Sequence, residues 1–143
     1  KLIDKVALLI RWHMFFYQPN ISDAALRRFI FKVGPDNIPD LLELRRADII
    51  ATGKITTATY DYWKDLSQRI LALTNADAIN GSQNKLTING HDLIEQLGIN
   101  SGPLVGKIMG HLLEQVFNDP ALNQKELLLD LARKYVENPL KYR

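Results

Sequence analysis

The sequence predicts an all-α protein: an irregular multi-helix bundle with a smaller C-terminal helical subdomain. Three observations carry this. Apolar residues recur every three or four positions in nearly every segment. Helix start and stop residues, such as Ser22, Asn89 and Pro103 against Gly34, Gly53 and Gly98, fall where those segments begin and end. No apolar–polar alternation of period two survives beyond four residues.

The first helix is expected over residues 2 to 17, "LIDKVALLIRWHMFFY". Its later turns are apolar all round, so it should be buried on more than one side. It has no recognisable cap and reads as beginning inside or just before a longer helix. Pro19 stops it through the restriction on the residue before proline. In "SDAALRRFIFKVG", Ser22 is the N-cap and Gly34 the stop. Ala25, Leu26, Phe29, Ile30 and Val33 form its apolar face. The third helix opens near Pro39 and closes at Gly53, with Leu41, Leu42, Leu44, Ala47, Ile49 and Ile50 as its apolar residues. The fourth runs from Thr56 to Asn75 on Trp63, Leu66, Ile70 and Leu73. The polar, turn-rich stretch that follows is the internal boundary. These signals divide the chain into a helical subdomain over 1–74, a linker over 75–86 and a second helical subdomain over 87–143.

Beyond the linker, Asn89 caps a short helix with Asp92 three residues on, and Gly98 ends it. Gly102 and Pro103 open the next helix correctly, since proline at the first position gives up no needed donor. That helix runs to about Phe117 and contains Gly106 and Gly110. Each interior glycine should cost about 1 kcal/mol relative to alanine. "KELLLDLARKYVEN" closes the chain as an amphipathic helix.

Composition sets limits. There is no cysteine, so a disulfide framework, a zinc–thiolate site and a thiol nucleophile are excluded. Cysteine-free chains suit a reducing compartment. No apolar run approaches the roughly 18 residues of a membrane span. The amphipathic opening "KLIDKVALLIRW" is not a signal peptide. Residues 1–54 hold nine Lys/Arg and six Asp/Glu, a net +3. Residues 55–143 hold nine and ten, a net −1. The positive excess sits around "LRRF" and "LRRAD".

Catalytic constellations are missing. "GPLVGK" is not a phosphate-binding loop: three residues separate its glycines, and Ile108 follows Lys107. His91-Asp92 matches the dipeptide of metal phosphohydrolases, which need further ligands from other helices. The alternative is a surface histidine beside a capping carboxylate. His13 reads as a hydrogen-bonded core or edge residue. Arg45 and Asp48, three apart, can pair. Equally, Arg45 or Arg46, with Arg27 and Arg28, can offer forked donors to phosphate oxygens.

Gly102, Gly106 and Gly110 lie on one stripe, with Leu104, Val105, Ile108, Leu112 and Val116 on the core side. Two readings follow. A neighbouring helix packs closely on the stripe, or a nucleic-acid backbone approaches it. In the second reading the helix N-terminus attracts phosphate and Lys107 adds a mobile charge.

Together the stretches resemble one family. Arg11–Phe15, Arg27–Gly34 and Arg46-Ala47-Asp48 are similar to the ordered elements of the body region of bacterial CCA-adding tRNA nucleotidyltransferases and their poly(A) polymerase relatives. Asn89–Leu93, Leu97–Ile99 and Gly102–Ile108 resemble that family's C-terminal element. The resemblance implies a tRNA-binding C-terminal region. Arg27, Arg28, Arg45, Arg46, Gly102, Gly106 and Lys107 would meet the acceptor stem or elbow. It also implies a separate N-terminal head, where magnesium, ATP and CTP act on a Gly-Ser element and paired carboxylates. None of these is matched here, so no cofactor is expected in this chain. A cytoplasmic location is implied. A poly(A) polymerase C-terminal region, or a helical interaction or dimerisation module, is the alternative.

Overall fold

The computed structural model describes residues 2–15, 20–53, 56–79 and 85–137. They form seven α-helices and two short 3-10 turns, and no strand occurs among them. The all-α expectation holds. The helices are α1 (Leu2–Trp12), α2 (Asp23–Val33), α3 (Ile38–Ala51), α4 (Thr57–Ile79), α5 (Gly90–Leu97), α6 (Pro103–Asn118) and α7 (Lys125–Glu137). The chain divides into two compact units, Lys1–Ile79 and Asn80–Arg143. Helix α4 continues four residues past Asn75, where the sequence signals end it. Residues 80–84 of the expected linker lie outside the described residues.

In the N-terminal unit, Leu26, Ile30 and Val33 of α2 meet Ile38, Leu41 and Leu42 of α3 and Leu66 and Ile70 of α4. Local chemistry sets the ends of α2. Ser22 accepts a hydrogen bond from the Ala25 amide. Gly34 turns the chain at φ +85° while its amide donates to Ile30 O. Arg69 of α4 then pins the start of α2, donating at 2.8 Å to both Ile21 O and Asp23 Oδ1.

Two expectations fail in this unit. Helix α1 has no buried residue. It packs one face, Leu8, Leu9, Trp12 and the following Phe15, on the core. Trp12 and Phe15 clamp the Phe29 ring at 5.8 and 4.8 Å between centroids. Its other apolar face is open. Helix α3 buries Leu41, Leu42 and Ile49 but leaves Leu44, Ala47 and Ile50 exposed. The six residues lie all round the helix, so no single side can bury them: Leu41, Leu42 and Ile49 share one side, and Leu44, Ala47 and Ile50 lie on the other.

In the C-terminal unit, α5, α6 and α7 enclose Leu93, Ile108, Leu112, Val116, Leu128, Leu129 and Ala132, with Ile88 closing the end. Asn123 ties the entering chain down: it accepts from the Thr87 amide at 2.9 Å and donates to Lys85 O at 3.1 Å.

Candidate nucleic-acid interface

The α5–turn–α6 segment of the C-terminal unit is built by its caps. Asn89 accepts from the His91 and Asp92 amides, and Asp92 accepts back from the Asn89 amide at 2.8 Å. This reciprocal arrangement satisfies donors that a helix start leaves orphaned. Gly98 leaves α5 in the left-handed region at φ +63°, where a side chain would be strained. Gly102 then precedes Pro103 at the start of α6, with no side chain capping the first-turn amides.

Along α6 the two faces separate cleanly. Ile108, Leu112 and Val116 are buried. Gly102, Gly106, Lys107 and Gly110 are exposed. A Cβ built on Gly106 or Gly110 meets nothing within 4 Å. So no helix among the described residues packs on the glycine stripe, and the packing reading is corrected for this unit. The close approach lies elsewhere: a Cβ on Gly90 would sit 3.1 Å from Val105 Cγ1. Leu104, expected on the core side, is 40% exposed and flanks the stripe. Lys107 makes no ion pair among the described residues.

The four arginines belong to the N-terminal unit. Arg45 Nη1 donates to Asp48 Oδ2 at 2.8 Å and lies 3.6 Å from Met14 Sδ. Arg46 Nε donates to Glu43 Oε2 at 3.0 Å. Each of these guanidiniums keeps further donors beyond the one its carboxylate takes. Both pairs are partly solvated, and each is worth little to stability. Arg27 and Arg28 sit half-buried on α2 and have partners of their own.

Two of the three histidines have structural surroundings, and His91 is exposed. His13 is hydrogen-bonded through Nδ1 to Ile10 O at 2.6 Å. His111 lies on the Tyr135 ring at 4.9 Å between centroids, and burial holds its pKa below the usual value. Among the described residues no three His, Asp or Glu side chains converge as metal ligands. Asp92 is taken up by the α5 cap and by Lys125 Nζ at 3.1 Å.

The cap has a pH signature. The Asn89 amide, and secondarily Lys125, hold the Asp92 carboxyl below its ordinary pKa. A depressed folded pKa contributes stability above the unfolded value of about 3.9, which is lost as pH falls through the folded value. The fall in urea midpoint between about pH 5 and about pH 3 should therefore be smaller for Asp92→Asn than for the parent. Equal falls would remove Asp92 from the account of acid stability.

Comparison with known proteins decides the family. Residues 31–132, more than half of the chain, match tRNA nucleotidyltransferase domain 2. The chain belongs to the tRNA nucleotidyltransferase family. A 56-residue segment is 32% identical to the CCA-adding enzyme of Ligilactobacillus salivarius (strain UCC118), covering 39% of this chain and 14% of that enzyme. The chain thus matches about a seventh of the length of this curated relative. No solved structure matches it significantly. The tRNA nucleotidyltransferase match includes Arg45, Arg46, Gly102, Gly106 and Lys107, and begins after Arg27 and Arg28. No helix among the described residues of this family member is long and apolar enough to cross a membrane.

Proposed function

We propose that the chain is the tRNA-binding C-terminal region of a CCA-adding nucleotidyltransferase whose catalytic head lies outside it. The observation that carries this reading is the exposed glycine stripe of α6, bare to 4 Å at Gly106 and Gly110 and bordered by Lys107. A backbone without side chains lets a phosphate chain come close, and the α6 N-terminus favours anions. Arg45 and Arg46, with Arg27 and Arg28, supply forked donors on the other unit. Such contacts hold RNA by backbone and shape, not by sequence. In this reading magnesium, ATP and CTP belong to the head. The described residues hold no converging ligands that would fit the metal, and no chemical step is assigned to them. Action on tRNA also implies a cytoplasmic location.

Fluorescence anisotropy with labelled tRNA at low salt tests the reading. Binding should be weak, given a net charge of only +2, and should weaken further with salt. Arg45→Glu with Arg46→Glu, and separately Lys107→Glu, should each raise the Kd several-fold. Removing a side chain that neutralises one phosphate should make the log–log salt slope shallower by about one. Unchanged binding in both variants would remove these residues from the function. A mass that rises with concentration and falls on Gly106→Leu would instead favour the stripe as a dimer contact.

A further inference from the structure

The chain holds two sulfur atoms, both thioethers, since it has two methionines and no cysteine. Their surroundings differ. Met109 lies on α6, half-buried and packed against the core of the C-terminal unit. Met14, two residues past the end of α1, is 67% exposed. Its sulfur also has a cationic neighbour. Arg45 of α3, 31 positions on, directs Nη1 at Met14 Sδ over 3.6 Å. The same Nη1 donates to Asp48 Oδ2 at 2.8 Å. A terminal guanidinium nitrogen carries two hydrogens, so one faces the carboxylate and the other the sulfur. We infer that Met14 is a site of oxidation by peroxide, and that its sulfoxide holds Arg45 away from phosphate. The second half rests on the proposed role of Arg45 in binding tRNA.

The argument lies in the change of acceptor. A thioether is a weak acceptor, and a phosphate oxygen readily takes its place on a guanidinium hydrogen. The exposure of Met14 gives a small oxidant access to the sulfur, and the chain has no thiol to consume that oxidant first. The sulfur attacks one oxygen of hydrogen peroxide. An S–O bond forms and the O–O bond breaks. The departing hydroxide takes the proton left on the new oxygen and leaves as water. Sulfur loses two electrons and the peroxide gains them, so one thioether and one peroxide give one sulfoxide and one water. The new oxygen is a polar acceptor beside a cation, and bonds from charged donors are the strong ones. Arg45 is then held between Asp48 and the sulfoxide, with both Nη1 hydrogens taken. A phosphate must compete with oxygen instead of sulfur. The fold is spared, because Met14 is not part of a core.

Peroxide treatment read by peptide mass is the first test. Met14 should oxidise about tenfold faster than Met109, since susceptibility follows exposure. Equal rates, or Met109 first, overturn the inference. Capture is read without RNA, from the guanidinium signals of Arg45 in nitrogen NMR, assigned by their loss in Arg45→Gln. Oxidation should shift them and slow their proton exchange, and unmoved signals in protein oxidised at Met14 overturn the inference. In the tRNA anisotropy titration, oxidation should raise the Kd several-fold, and methionine sulfoxide reductase should restore it. Met14→Leu, a volume-conserving change, should bind like the parent and be indifferent to peroxide. A peroxide effect that persists in Met14→Leu overturns the inference. Arg45→Gln should bind more weakly and lose nothing further on oxidation, and a further loss overturns the capture of Arg45. If Arg45→Gln binds tRNA as the parent does, the proposed role of Arg45 fails and the phosphate half falls with it. The oxidation rates and guanidinium signals still decide the modification site.

Discussion

Replacing Leu112 with alanine should cost the C-terminal unit about 2–5 kcal/mol, a large part of the stability of a small helical domain. Leu112 is fully buried in α6 among Ile108, Val116, Leu128 and Ala132. Truncation removes apolar burial and leaves a cavity that three short helices cannot easily close. Small units have little burial to spare. Leu104→Ala on the same helix is the control: its side chain is 40% exposed, so its cost should stay below about 1 kcal/mol. Urea unfolding followed by helical circular dichroism reads both. Equal costs would mean that the two faces of α6 are not divided as described.

The second large effect has opposite signs in two assays. Gly106→Ala with Gly110→Ala should stabilise α6, because both added methyls enter open space. Glycine costs a helix interior about 0.5–1 kcal/mol relative to alanine. The gain should therefore be about 1–2 kcal/mol for the pair, if the two sites add. The same methyls would hold a phosphate backbone away from the helix by roughly a bond length, about 1.5 Å. tRNA affinity should fall about tenfold, equivalent to about 1.4 kcal/mol. A glycine kept for packing would behave differently, since its replacement would destabilise the fold by overpacking. Of the helical glycines, Gly90 fits that description: Val105 Cγ1 already lies 3.1 Å from its would-be Cβ.

Features encoded within a few residues are legible in the sequence. The Asn89–Asp92 box, the Ser22 cap, the Gly34 and Gly98 stops and the Arg45–Asp48 pair all depend on neighbours three or four positions away. So does the buried row Ile108, Leu112 and Val116. What is not legible depends on which helix lies opposite. Leu44, Ile50 and Leu104 are apolar, yet no helix of the described residues covers them. The two apolar sides of α1 are evident in "LIDKVALLIRWHM", but periodicity does not tell which of them has a partner here. The interior glycines stand out in the sequence as anomalous. Only the packing separates Gly90, where α6 comes close, from Gly106 and Gly110, where nothing does.

Whether tRNA lies along the α6 glycines is read from backbone amide chemical shifts during a tRNA titration, and a chain of 16.3 kDa is well suited to the measurement. The largest shifts should fall on Gly102, Gly106, Lys107 and Gly110, with smaller ones around Arg45 and Arg46, and all should fade as salt is raised. Stationary glycine amides in the presence of saturating tRNA, with shifts gathered on other surfaces, would contradict it.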